Sequence, residues 1–379
     1  MLFHSKHRLN ILAITFSFYL SGLFYALGLN QYFSYPLIFA SALSAANTFF
    51  MRSSFISSKP LFLLFLSVTL SLSVSSIYHS ETELIVVALG FMSLIPIVNY
   101  LRLTITPSSF LLSLLAFFLL HCATLFISII YSPFSLWGYF GIFRNPNTTG
   151  LFAASALMSF ISLFISKLEN LKNTKFLFLS QLVILLLIFI VVISSSRTSL
   201  IASFVGLLFY YLFYLSFNSY RFRNIFLILP SVIIFFVFIQ SPLYQIAITD
   251  KFNYYFQHSD MLNGRDYIWR IALDNISFFG HGRLSTIADQ VGESIYISIL
   301  HQFGLLALLL LSICLLVSFF LPFYYYLRFR DSSLLPFFPI VFIFPFIGLT
   351  SSIFGMSPFF LWIMGISYFL NYKRPKLLL

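Results

Sequence analysis

The residues of this chain that could do chemistry are concentrated in one stretch. Between positions 241 and 294 stand Asp250, Lys251, Asp260, Arg265, Asp266, Arg270, Asp274, Arg283, Asp289 and Glu293, with His258 and His281 among them. Only 8% of the whole chain is charged, so this clustering runs against the composition. Two further arginines stand apart from it, Arg144 in GYFGIFRNPNTTG and Arg197 in SSSRTS. A guanidinium is a planar fork that matches phosphate oxygens two at a time. A carboxylate or imidazole beside it could take a proton from an attacking hydroxyl. Arginines converging at a membrane surface would suit a lipid-linked diphosphate.

The candidate bases differ in setting. Glu293 stands at the end of the polar stretch, just before an apolar run, where burial would raise its pKa and a nearby arginine would lower it. Asp266 follows Asn263-Gly264-Arg265 and opens a segment, DYIWRIAL, that reads as the start of an amphipathic helix. His281 lies in FFGHGRLS, where two glycines would let the backbone approach a ligand closely. Each has an ordinary explanation as well. Arginines at an interface snorkel to lipid phosphates or pair with acids, a loop histidine can be idle, and a carboxylate at a helix start is favoured by the dipole. His301 is expected to be a packed, hydrogen-bonded core histidine. No DxD pair, P-loop, HExxH or Cys/His zinc spacing is present, and Glu81-Thr82-Glu83, two acids on a short outer loop, is weak evidence for a divalent cation.

The elements that hold these groups are membrane helices. Of the 379 residues 60% are hydrophobic and 20% aromatic, and the mean hydropathy is +0.98, which excludes an ordinary soluble domain. The expected fold is all-α, a polytopic helical membrane protein forming one integral membrane domain over 1–379. Apolar runs of spanning length fall near 9–29, 32–51, 60–78, 84–101, 109–131, 149–166, 176–194, 199–217, 224–241, 302–327, 334–350 and 352–370. The apolar stretch 295–327 is too long for one perpendicular helix, so it is expected to begin as an interfacial turn around His301 or to tilt strongly. Asn145-Pro146-Asn147 reads as a turn, with Thr148-Thr149-Gly150 capping the next helix. The first apolar run carries no small-residue cleavage site and reads as a span. Cys122 and Cys314 both sit in apolar runs and say nothing of redox compartment.

Charge fixes the orientation. With the N-terminus inside, the inner ends collect Lys6, Arg8, Arg52, Lys59, Arg102, Lys167, Lys172, Lys175, Arg221, Arg223, Arg328, Arg330, Lys373, Arg374 and Lys376. That leaves only Arg144, Arg197, Lys251, Arg265, Arg270 and Arg283 outside, 6 of 21. Shifting the register by one span destroys the asymmetry. The loop 242–294 is therefore expected outside and both termini in the cytoplasm. The net charge of +11 is topogenic, spread over helix ends, and does not point to nucleic acid.

In order, FGIFRNPNTTG, SSSRTSL, NGRDYIWRIALDNISFFGHGR and ESIYISILHQFGLLALLLL resemble the O-antigen ligase and polymerase superfamily of bacterial polysaccharide assembly, over about 135–320. The resemblance implies a glycosyltransferase of the bacterial cytoplasmic membrane. It would act on undecaprenyl-diphosphate-linked oligosaccharide among membrane lipids, without metal or nucleotide sugar. A chain-length regulator and a flippase are the protein partners this reading leaves open. It puts the diphosphate on Arg197 and Arg265, with Arg283 and Arg144 as further candidates, and the base on Glu293, Asp266 or His281. Ligases of the family carry a histidine-led motif where this chain has Glu293-Ser294-Ile295-Tyr296, and an acid there looks more like the polymerases. The expected function is thus a repeat-unit polymerase of O-antigen, capsule or exopolysaccharide. The alternatives are an O-antigen ligase and, from a different class, a lipid-glycan flippase or small-anion transporter. Transporters place their charged sites near the bilayer midplane, whereas the ionisable residues here gather in one loop.

The orientation is open to direct measurement. Ser259→Cys should react with an impermeant thiol reagent applied to intact cells, and Lys373→Cys should not. The reverse pattern would invert the topology and remove the outer site with it.

Overall fold

Hydrocarbon offers the backbone no hydrogen-bond partner, so a chain this apolar must satisfy its own N–H and C=O groups within helices. The computed structural model is all-α, with no strand among the described residues. It describes residues 2–29, 32–50, 59–79, 82–132, 139–143, 145–166, 174–194, 196–217, 240, 242, 245, 249–250, 253, 265–282, 294–329, 331–348 and 357–372. The helices are α1 (Leu2–Ala26), α2 (Ser34–Phe50), α3 (Pro60–Tyr78), α4 (Thr82–Thr104), α5 (Pro107–Tyr131), α6 (Pro146–Ile165), α7 (Thr174–Ile193) and α8 (Arg197–Phe217). They continue with α9 (Arg265–Asp274), α10 (Ile295–Phe303), α11 (Leu305–Phe329), a 3₁₀ turn (Ser332–Phe337), α12 (Phe338–Gly348) and α13 (Ser357–Asn371).

Among the described residues five helices are long and apolar enough to cross a membrane: His7–Ala26, Pro60–Tyr78, Pro107–Tyr131, Pro146–Ile165 and Leu305–Phe329. Shorter apolar helices lie beside them, including Ala88–Thr104, Leu179–Ile193 and Pro358–Asn371. The protein is an all-α polytopic membrane protein. The run expected at 224–241 lies, apart from residue 240, outside the described residues.

α6 is the axis of the bundle. Of its spanning window 89% is buried inside the protein, against 33% for α11. Its sequence explains this, because Gly150, Ala153, Ala154, Ser155, Ala156, Ser159 and Ser162 let neighbouring backbones come close. A Cβ on Gly150 would lie 2.6 Å from Ser194 Oγ and from Ser196 Cβ, and one on Gly206 of α8 would lie 2.2 Å from Met158 Sδ. α5, α7, α8, α12 and α13 all pack on α6. Hydroxyls elsewhere in the spans return to their own helix: Ser73 donates to Thr69 O at 2.8 Å and Ser76 to Leu72 O at 2.8 Å. This spares hydrocarbon an unmatched donor.

Caps set the helix starts. Thr106 and Ser109 form a reciprocal capping box before α5, with Pro107 in the first turn. At α6 the cap differs from expectation. Asn145 is the N-cap, its side chain accepting from Asn147 N at 2.8 Å, and Pro146 occupies the first turn. Proline there loses nothing, since that N–H has no partner in any helix. Thr148, Thr149 and Gly150 are consequently inside the helix and buried.

The two ends of the bundle can be told apart by contacts. Asn371 of α13 donates to Ile105 O beside the start of α5, and the Lys59 ammonium donates to Leu370 O. The starts of α3 and α5 and the finish of α13 therefore share one end. The finishes of α3 and α5 lie at the other, where α6 begins and α7 turns into α8.

Candidate functional site

At that second end the connecting segments are built onto helix termini. Residues 139–143 link toward α6. Tyr139 N donates to Ile193 O at 3.0 Å, at the finish of α7, and Thr149 Oγ1 donates to Phe140 O at 2.8 Å. Ser128 Oγ accepts from Ile142 N at 2.9 Å. Gly141 is left-handed at φ 57°, and a Cβ there would meet Ser128 Oγ at 1.6 Å. The α7–α8 turn carries Ser194, Ser196 and Ser199, which surround Gly150 of α6. Residues 139–143 and the start of α6 thus meet the turn between α7 and α8, far away in sequence, at Gly150 and Ile193. Arg197 is the first residue of α8.

A second construction holds the FFGHG segment. The apolar stretch after 294 does not continue as one helix: α10 ends at Phe303, Gly304 turns left-handed at φ 91°, and α11 begins at Leu305. A break leaves carbonyls and amides without helical partners. Segment 277–282 supplies them. His281 N donates to His301 O at 2.7 Å, Gly282 N to Gln302 O at 3.3 Å, and Leu305 N to Ser277 O at 2.9 Å. So close an approach excludes side chains. A Cβ on Gly280 (φ 81°) would lie 2.3 Å from Gln302 O, and one on Gly304 would lie 2.2 Å from Phe278 O. The end of α3 holds the segment from behind: Ser75 Oγ donates to Phe279 O at 2.6 Å, His79 Nε2 to Phe279 O at 3.2 Å, and Tyr78 lies against Phe279.

His281 is exposed, and its Nε2–H donates to Asn275 O at 2.6 Å, just past the end of α9. With the proton committed to Nε2, Nδ1 is the nitrogen that can accept one. Behind it lies His301, its ring centroid 5.2 Å away. His301 is buried, as the sequence suggested. Burial, and then the neighbouring His281, hold its pKa below the ordinary imidazole value, so the uncharged ring is the form that fits. α10 is nine residues long, too short to span. Tyr296 ties it sideways, donating to Pro345 O of α12 at 3.0 Å. Burial raises that phenol's pKa to about 12, so Tyr296 is an anchor and keeps its proton.

α9 packs against α10, with Ala272 buried and Tyr267, Arg270 and Leu273 exposed. The expected amphipathic helix is present, opening with Arg265 and Asp266. The structure brings together the finish of α9, His281, His301 and the α10–α11 break. It brings the Arg197 turn to the start of α6. Arg144, Arg283 and Glu293 lie outside the described residues, as do the side chains of Arg197, Arg265 and Asp266. Sequence reading passed over Ser75, His79 and Gly304. A lone glycine in HQFGLL was the one available signal among them.

Residues 182–312 match the family model described as O-antigen ligase. The match supports the O-antigen ligase and polymerase superfamily that the motifs resemble, and it runs from α7 through the break into α11. No curated protein matches the chain.

Gly280→Ala and Gly304→Ala should each lower stability by more than about 2 kcal/mol, because left-handed strain of ~1–2 kcal/mol adds to a backbone collision. Gly28 is also left-handed at φ 76° but has nothing within 4 Å of a Cβ, so Gly28→Ala should show the strain alone. Thermal unfolding in detergent would rank the three, and equal losses would dismiss the interlock. A pH effect follows from His301. Its lowered pKa contributes stability that is complete above the unfolded value of about 6.5 and declines as pH falls below it. Exchange of the 277–282 amides, corrected for intrinsic chemistry, should therefore accelerate below about pH 6.5. His301→Gln should flatten that dependence.

Proposed function

We propose that this protein polymerises polysaccharide repeat units on the outer face of the bacterial cytoplasmic membrane. Glycan passes from undecaprenyl diphosphate to a lipid-linked repeat unit. The observation that carries the reading is the match over 182–312, which takes in Arg197, Arg265, Asp266, His281, Arg283 and Glu293 in one segment. The family suggests a glycosyltransferase-like enzyme acting on lipid-linked glycan.

In this reaction a hydroxyl of the incoming unit attacks the anomeric carbon at the reducing end of the growing chain. The bond from that carbon to the diphosphate oxygen breaks, and undecaprenyl diphosphate leaves. Negative charge develops on the leaving oxygens, where fixed guanidinium groups lower the barrier most. Arg197 and Arg265 take that role, with Arg283 and Arg144 as further candidates. The hydroxyl proton goes to Glu293 in the first instance, with Asp266 and His281 as the other candidates. Among these, His281 is supported by its exposed ring and by the Nε2–H bond to Asn275 O, which leaves Nδ1 to accept. The chemistry needs neither metal nor nucleotide sugar. The loop 242–294 acts as the reactive face of a single membrane domain whose termini are cytoplasmic.

The matched family is described as a ligase, which keeps transfer of finished glycan to a lipid core or protein as the second reading. Glu293, where the ligases carry histidine, favours the polymerase. Deletion of the gene distinguishes the two. A lost polymerase leaves product capped by a single repeat, whereas a lost ligase strands long glycan on undecaprenyl diphosphate. Arg197→Ala and Arg265→Ala should each abolish elongation at near-normal protein abundance, and Arg→Lys should recover little. Glu293→Gln should shorten chains, since loss of a general base costs ~10²–10⁴-fold in rate. Full-length polymer in both arginine variants would sink the clamp, and normal chains in Glu293→Gln would pass the proton to Asp266 or His281.

A further inference from the structure

Where α3 finishes, the exposed side of that helix carries on into the segment docked against it. α3 is long and apolar enough to cross a membrane, with half of its spanning window buried inside the protein. Its other side is a stripe of exposed apolar side chains, Leu63, Leu70, Val74, Ile77 and Tyr78, which share one face at helical spacing. On a spanning helix such a stripe faces hydrocarbon. Phe279 lies against Tyr78 at the end of the stripe, ring centroids 5.7 Å apart and planes 30° apart. Phe278 meets Phe279 edge-on at 5.0 Å. Leu273 and Ile276 extend the series, each 50% exposed, beside Phe278 at 55% and Phe279 at 41%.

An open apolar patch of this kind marks a surface that something covers. The backbone indicates what. Asn275 O accepts from His281 Nε2, Ser277 O from Leu305 N, and Phe279 O from Ser75 Oγ and His79 Nε2. The amides of His281 and Gly282 donate to His301 O and Gln302 O. A loop bathed in water can leave such groups to solvent. A segment lying against hydrocarbon must match them within the protein. This one matches them while turning its largest apolar side chains outward, the reverse of a solvated loop. α9 leads into the patch with Ala272 buried and Tyr267, Arg270 and Asp274 exposed. Tyrosine and arginine are side chains that rest at a membrane interface with their polar ends in the headgroups.

We infer that Leu273, Ile276, Phe278 and Phe279 are immersed in the lipid bilayer where headgroups meet acyl chains, as a continuation of the lipid-facing side of α3. The partner is the lipid surface itself, entered to the depth of about 5–10 Å usual for an interfacial amphipathic segment. Segment 277–282 is then held from two sides, by the α10–α11 break and by the membrane. His281, two residues beyond Phe279, comes to the level of the lipid phosphates. In the transfer reaction proposed above, a lipid-linked diphosphate presents its reacting bond near that level. The immersion itself does not rest on that reaction.

The test places an environment-sensitive fluorophore on Phe278→Cys, Ile276→Cys or Val74→Cys in the full chain, with Cys122 and Cys314 replaced by alanine. Each labelled protein is put, one copy per disc, into phosphatidylcholine nanodiscs. The quenchers are a nitroxide carried on the lipid acyl chain and iodide in the buffer. Labels at positions 276 and 278 should be quenched by the nitroxide to a degree comparable with the label at 74 on the spanning helix, and little by iodide. Strong iodide quenching at 276 and 278, with the label at 74 still answering to the nitroxide, would put the patch in water and overturn the proposal. Both side chains are exposed, so the labelled proteins should unfold at the temperature of the unlabelled chain, and either position alone decides the matter if the other does not fold. Discs loaded with two copies extend the test. Nitroxide quenching should persist there, and its loss in those discs would identify a second copy of the chain as the occupant and overturn the lipid assignment. Quenching reports position in the bilayer whether or not glycan is transferred, so failure of the polymerase reading and failure of the immersion are separate results.

Discussion

One end of this protein depends on one backbone junction. A membrane helix that stops and restarts exposes carbonyls and amides that hydrocarbon cannot satisfy. Here Gly304 imposes the stop, and the segment 277–282 meets the groups it releases at His301, Gln302 and Leu305. The dependence runs both ways. The break gives segment 277–282 a fixed dock, and the segment satisfies the groups that the break releases. Two glycines in the left-handed region are the requirement, since each would drive a Cβ into the opposite backbone. His281, on this segment, is therefore placed by the helices on which the segment docks.

A second junction has the same logic with different materials. Where 277–282 docks through backbone amides, the turn between α7 and α8 docks through small side chains. Gly150 of α6 is surrounded by Ser194, Ser196 and Ser199, so the helix that is buried almost throughout also fixes where α8 starts. Arg197 opens that helix, and Arg265 opens α9. In both cases a candidate arginine begins a helix whose neighbour is held by close packing.

The all-α architecture was largely legible in the sequence because apolar length is a local quantity. α3, α5, α6 and α7 fall on runs visible by eye, and the excess length of 295–327 showed that one upright helix would not do, where the structure has a short helix through His301 and a break at Gly304. The cap of α6 was misplaced because Thr148 and Thr149 have the right side chains, and only geometry reveals that Asn145 reaches the amides first. The order of the site motifs could be read in advance. Their support could not: His301 lies behind His281 only because two segments 20 residues apart dock edge to edge, and Ser75 reaches Phe279 across 204 residues. No periodicity encodes such a meeting.

The contact between Lys59 and Leu370 also sets an order of events. These residues are 311 apart in sequence, and Asn371 and Ile105 are 266 apart. At ribosomal speeds of about 5–20 residues per second, α3 to α5 are made roughly a quarter of a minute to a minute before α13 can close over them. During that interval their starts must be accommodated by lipid or by the insertion machinery. Assembly of this membrane domain is thus completed from its far end in sequence, and variants that weaken α13 should be felt first by helices made long before it.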